Sequence, residues 1–160
     1  MNFFLDFIQR LSRIAQVIAG IALTGIMGLT VTDVILRSYG RPIVGSYEIV
    51  ALMGALVVGF SLPFTSWVRG HIFVDFLVQK LSLSPRKGFH AATRLLGMIL
   101  FFLIAWNLFQ MGLDLQKSGE VSPTLQIPFY PVVYAVGVCC FLQFLVLLGD
   151  LVKVFRGKYE

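Results

Sequence analysis

Three charged residues lie beside or within long apolar runs and are the first candidates for chemistry: Asp33, Glu48 and Arg94. A charge inside a bilayer is costly unless it is paired, so each is a functional candidate by default. Their positions offer structural roles as well. Asp33 stands one helical turn before Arg37, where the two can neutralise each other locally. Glu48 falls in the first turn of its run, where the positive end of the helix dipole favours a carboxylate. That placement favours capping or pairing with another subunit over ion coupling. Arg94 lies near the start of its run and is expected to extend its charge to the headgroups by snorkelling.

Other reactive side chains are sparse. The two histidines, His71 and His90, lack the cluster of Cys, His and carboxylate partners that metal or haem ligation needs. His71 and Asp75 are one turn apart, but no second pair accompanies them. Cys139 and Cys140 are neighbours in one run, and successive helix positions point about 100° apart, so a disulfide between them would be strained. They read as small packing residues. There is no nucleophile–base constellation, zinc spacing or glycine-rich phosphate loop, so neither an enzyme nor a cofactor-binding protein is expected.

The elements that carry these residues are set by hydropathy. Of 160 residues, 58% are hydrophobic, 15 are Phe and only 13% are charged. Apolar runs at 14–32, 49–68, 95–113 and 129–148 each approach the roughly 20 residues that cross a hydrocarbon core about 30 Å thick. The expected fold is therefore an all-α integral membrane protein with one domain, spanning at about 14–36, 48–68, 92–113 and 129–151. Short amphipathic helices are expected at the interface. One is formed by Phe3, Phe4, Phe7, Ile8 and Leu11 opposite Asp6, Gln9, Arg10 and Arg13, and a second by 71–83. Ser46 or the adjacent Gly45 is expected to cap the second helix, and Pro85 to sit in the first turn of the third.

Small residues at Ala15, Ala19, Ala22, Gly25 and Gly28, and at Ala51, Gly54, Ala55 and Gly59, mark faces where helices approach closely. The connections 37–47 and 116–128 hold glycines and prolines and read as ordered turns. The net charge of +5 reflects membrane topology, not nucleic acid. With the N-terminus inside, ten basic residues (Arg10, Arg13, Arg69, Lys80, Arg86, Lys87, Arg94, Lys153, Arg156 and Lys158) are cytoplasmic. Only Arg37, Arg41 and Lys117 are then external. That bias places both termini in the cytoplasm.

Read in order, the polar landmarks resemble a known family. They are Asp33-Val34-Ile35-Leu36-Arg37, Gly40-Arg41-Pro42, Gly45-Ser46-Tyr47-Glu48 and Arg69-Gly70-His71-Ile72-Phe73-Val74-Asp75. After them come Gly119-Glu120-Val121-Ser122-Pro123-Thr124-Leu125-Gln126-Ile127-Pro128 and Tyr134. This order, over about 31–152, is similar to the small membrane subunit (DctQ type) of TRAP, tripartite ATP-independent periplasmic, transporters. Where that family often has a Pro-Gly-type step after Tyr134, this chain reads Ala135-Val136-Gly137.

The resemblance implies an accessory subunit in a bacterial inner membrane. Its transporter would import organic acids (dicarboxylates, sugar acids or sialic acid) on a sodium gradient. A periplasmic binding protein would deliver the substrate to a large membrane subunit, which would also bind the sodium ions. Arg37, Glu48, His71, Asp75 and Tyr134 are then candidates for subunit assembly, with membrane lipids as further partners. Arg41, Lys117 and Glu120, in the outer loops, are candidates for docking the binding protein. Two other classes fit less well: a homodimeric proton-coupled exporter using Glu48, and a redox-complex anchor using the histidines or cysteines.

Cysteines introduced beside Gly40 or Gly119 are expected to react with an impermeant thiol reagent from outside, and those beside Lys87 or Lys158 are not. The opposite sidedness would invert the topology.

Overall fold

A computed structural model describes residues 2–68 and 83–155, and these form four helices. We label them α1 (Asn2–Ser38), α2 (Ser46–Trp67), α3 (Leu83–Ser118) and α4 (Tyr130–Phe155). All four are long and apolar enough to cross a membrane, over Asp6–Ser38, Ser46–Trp67, Ala92–Ser118 and Tyr130–Val152. This is the expected fold class. The segment 69–82, which contains His71, Asp75 and most of the second expected interfacial helix, lies outside the described residues.

Helix lengths depart from the apolar runs. α1 has 37 residues and α3 has 36, about 55 Å each, against a bilayer of roughly 40–45 Å including headgroups. The N-terminal amphipathic stretch is the beginning of α1, with no break before the span. Its residues Ile8 and Ser12 are buried, and the Ser12 hydroxyl donates to the Ile8 carbonyl. α3 likewise continues through Asp114, Gln116 and Lys117 to Ser118, beyond the expected end at 113. Polar residues with good helix propensity extend a helix past the end of its apolar window.

The helices form two antiparallel pairs, α1 with α2 and α3 with α4, and α2 and α4 join the pairs. α4 is the most buried span and α3 the least. α1 uses one narrow stripe, with Ile8, Ser12, Ala15, Ala19 and Asp33 buried at helical spacing. The expected small-residue face is only partly used this way. Ala15 and Ala19 pack, and Gly25 lies against Met53, but space is open around Gly28 and Gly54. Gly59 serves the α2–α4 contact, where an added methyl would come within 3.1 Å of Val136.

Polar groups are buried both between the pairs and within one of them. Gln143 Nε2 donates to Ser66 Oγ across α4 and α2. Arg94 does not snorkel: its side chain is buried and pairs with Asp150 of α4, Nη2 to Oδ2 at 3.8 Å. Asp150→Leu would leave the guanidinium buried without this carboxylate. We expect a loss of about 3–5 kcal/mol of stability, read by detergent-denaturation titration, and a clearly smaller loss when Arg94→Leu is added.

Candidate functional site

The end of the bundle that holds both described connections, 39–45 and 119–129, concentrates interacting polar groups. α1 stops there because Gly40, at φ 72, takes the left-handed turn that closes a helix end. Arg41 N–H donates to the Leu36 carbonyl at 3.0 Å and Gly40 N–H to that of Arg37 at 3.0 Å, satisfying two final carbonyls. Asp33 then holds the returning chain. Its Oδ2 accepts from Arg37 Nη2 at 2.6 Å and its Oδ1 from the Ile43 backbone N–H at 2.8 Å. Arg37 also donates to the Tyr47 hydroxyl at 3.3 Å and lies 5.6 Å from that ring's centre. The local Asp33–Arg37 pair expected from spacing is present, and it carries a second job in shaping the connection.

α2 starts at Gly45, which occupies the cap position at φ 76 without a side-chain cap. Ser46 is inside the helix and buried, so it is Gly45 that takes the capping position. A side chain at Gly45 would also collide with Leu125, so glycine answers both a backbone and a space requirement here.

The 119–129 connection folds back on itself. Gly119, at φ 67, ends α3, and Val121 and Pro128 form an antiparallel bridge. Within it Ser122 N–H donates to the Ile127 carbonyl at 2.9 Å, and Ile127 N–H to Ser122 Oγ at 3.1 Å. Gln126 takes a left-handed φ of 54, a strained choice for a residue with a side chain. Glu48 fastens this loop to α2. Its Oε2 accepts from Ser122 Oγ at 2.7 Å and from Leu125 N–H at 2.9 Å, while Oε1 accepts from Thr124 N–H at 2.8 Å. A carboxylate at the start of one helix thus satisfies backbone donors of a loop more than seventy residues away. Ser122 is 1% exposed, so the centre of this contact is dry.

The remaining expected site residues divide clearly. Tyr134 is half-buried against α3: its ring covers Gly112, lies 6.2 Å from Phe109, and its hydroxyl donates to Gln116 Oε1 at 3.4 Å. Arg41, Lys117 and Glu120 are exposed around the two connections. Cys139 and Cys140 are buried free thiols, and no group of three or more His, Cys, Asp or Glu gathers among the described residues. Two contributors had no sequence reading of their own. Asp150 and Gln143 sit seven residues apart on α4, a heptad step that marks one helix face, and only that spacing could have flagged them.

The arrangement is a preformed platform: two short connections cross-braced by two carboxylates, with charges left around the rim. Compared with known proteins, residues 26–157 match the family described as "Tripartite ATP-independent periplasmic transporters, DctQ component". No curated protein matches the chain.

Glu48→Ala removes all three acceptor contacts to the loop. Backbone bonds to a charged acceptor contribute about 1.5–3 kcal/mol each, so exchange of the Thr124 and Leu125 amides should accelerate about tenfold or more. Hydrogen exchange on the purified chain measures this. Unchanged protection would mean that the loop holds its shape without Glu48.

Proposed function

The chain belongs to the DctQ family of TRAP transporter components, and from that premise we propose that it is the static accessory subunit of such a transporter. It sits in a bacterial inner membrane with both termini in the cytoplasm, beside a large membrane subunit that carries the substrate and binds the driving sodium ions. A periplasmic binding protein delivers an organic acid of the dicarboxylate, sugar-acid or sialic-acid type. The platform of 39–45 and 119–129 faces that protein, with Arg41, Lys117 and Glu120 orienting it. The chain itself catalyses no reaction and needs no cofactor.

The family match over 26–157 carries this reading, and the braced platform supports it. A landing surface for a transient partner gains from being ordered beforehand, because less freedom is then lost on contact. The rim charges set how fast that partner arrives. Glu48 has both oxygens engaged at the start of α2, which suits a brace better than a proton carrier.

Reconstituted with its large subunit and limiting binding protein at low salt, Arg41→Glu or Lys117→Glu should slow uptake by about two- to tenfold. Excess binding protein should restore most of it. The chain alone, under a sodium gradient, should transport nothing. Robust uptake by the isolated chain would end the accessory reading, and unaltered uptake in both reversals would end the steering role.

A further inference from the structure

The face of α3 that turns away from the rest of the chain is not uniformly apolar. Asn107, Gln110 and Asp114 are all exposed. At 100° per residue they fall within an arc of about 60°, on the side of α3 opposite Arg94, Ala105 and Gly112, which are buried. None of the three side chains makes a hydrogen bond or ion pair with any described residue. Toward the other end of the helix the same arc carries Leu103 and Leu96, exposed at 53% and 67%.

Their depth makes this unusual. A methyl on Gly59 of α2 would touch Val136 of α4, and one on Gly137, the next residue, would touch Leu108 of α3. Leu108 therefore lies at about the level of Gly59, the fourteenth of the 22 residues of α2. α2 is about 33 Å long, close to the thickness of the hydrocarbon core, so Asn107 stands near mid-span. Gln110 and Asp114 follow about 4.5 and 10.5 Å nearer the loop end. Lipid chains offer no hydrogen-bond partner at such depths, and polar side chains in spans face protein or a water-filled cavity.

We propose that the Asn107–Gln110–Asp114 stripe of α3 is the seam on which the large membrane subunit docks, through a transmembrane helix presenting hydrogen-bond donors and acceptors at the same depth. The proposal rests on the reading above that this chain works beside such a subunit. A second copy of the chain is a poor occupant of the seam. Two copies inserted with the same orientation about a two-fold axis along the membrane normal would set each residue opposite itself. Asp114 would then face Asp114 of the second copy in a low-dielectric setting, an unfavourable like-charge contact. A different partner carries no such restriction and can place a donor or a cation opposite Asp114. Interhelical bonds of this kind act as polar glue between spans, while Leu103 and Leu96 extend the contact by apolar packing.

The test uses a spin label at Gln110→Cys in a background with Cys139→Ala and Cys140→Ala. The chain is reconstituted alone and together with the large subunit of its own transporter. In the chain alone, lipid-dissolved oxygen should reach the label; in the complex, both oxygen and a water-soluble nickel chelate should be excluded. The variant N107L/Q110L should reduce co-purification of the large subunit by about tenfold or more, equivalent to about 1.4 kcal/mol. Its membrane level should not change, because this face packs against none of the chain's other described helices. A label still open to oxygen in the complex overturns the seam, and one open to the nickel chelate replaces it with a water-filled crevice. Exclusion in the chain alone, with self-association, replaces the partner with a second copy. If the native large subunit fails to co-purify with the unaltered chain, the accessory reading itself falls; if it co-purifies but leaves the label exposed, only the seam does.

Discussion

The two helical pairs meet mainly along one line, the contact between α2 and α4, and the rest of the molecule depends on it. Three residues of α2 mark that line: Glu48, Gly59 and Ser66. They are separated by 11 and then 7 positions, about three and two helical turns, and so share one side of the helix. Each is joined by a different interaction. Glu48 binds the loop leading into α4, Gly59 lets Val136 approach the helix closely, and Ser66 accepts from Gln143. Inside a bilayer no hydrophobic gain draws one apolar helix to another, so close packing and polar bonds must do that work. Pro63, buried between Gly59 and Ser66, cannot donate to the carbonyl of Gly59, so α2 lacks one backbone bond beside its contact with Val136 of α4.

Around that line the structure separates its polar groups by purpose. The charged residues buried among the described ones are Asp33, Arg94 and Asp150. Asp33 organises a connection, whereas Arg94 and Asp150 tie α3 to α4. α1 and α3 flank the centre and use only part of their circumference. Ile21 and Met27 of α1 and Trp106 of α3 remain at least half exposed, which is ordinary for surfaces that meet lipid or another membrane chain.

How much of this was legible in the residues depends on distance along the chain. The four spans follow from apolar runs, and the Asp33–Arg37 pair follows from a four-residue step, since both are local. The partners of Glu48 could not be read because they lie 74 to 77 positions away, and no periodicity links them. Arg94 misled for a related reason. A lone arginine near the end of an apolar run usually reaches for headgroups, and its acid partner, Asp150, stands on another helix near the chain's far end. Apolar content locates spans but does not end helices, so the extra residues at the C-terminal ends of the two long helices were also hidden. Those ends are set by backbone closure, at Gly40 and Gly119.

The distribution of polar pairs bears on what kind of part this is. A carrier built for alternating access keeps its substrate groups near mid-bilayer, on interrupted helices whose pairings change through the cycle. Here each helix runs unbroken through its described residues. The charges buried within the chain are engaged with partners across or along helices that the central line holds in register. Asn107 and Gln110, at and just above mid-span, point away from the bundle and are not gathered inside it. A molecule arranged this way can transmit position but has little means of exchanging one internal arrangement for another. On the proposed reading, motion in the assembled transporter comes from elsewhere, and this chain holds a fixed relation between the loop platform at one end and the membrane surface that meets its flank.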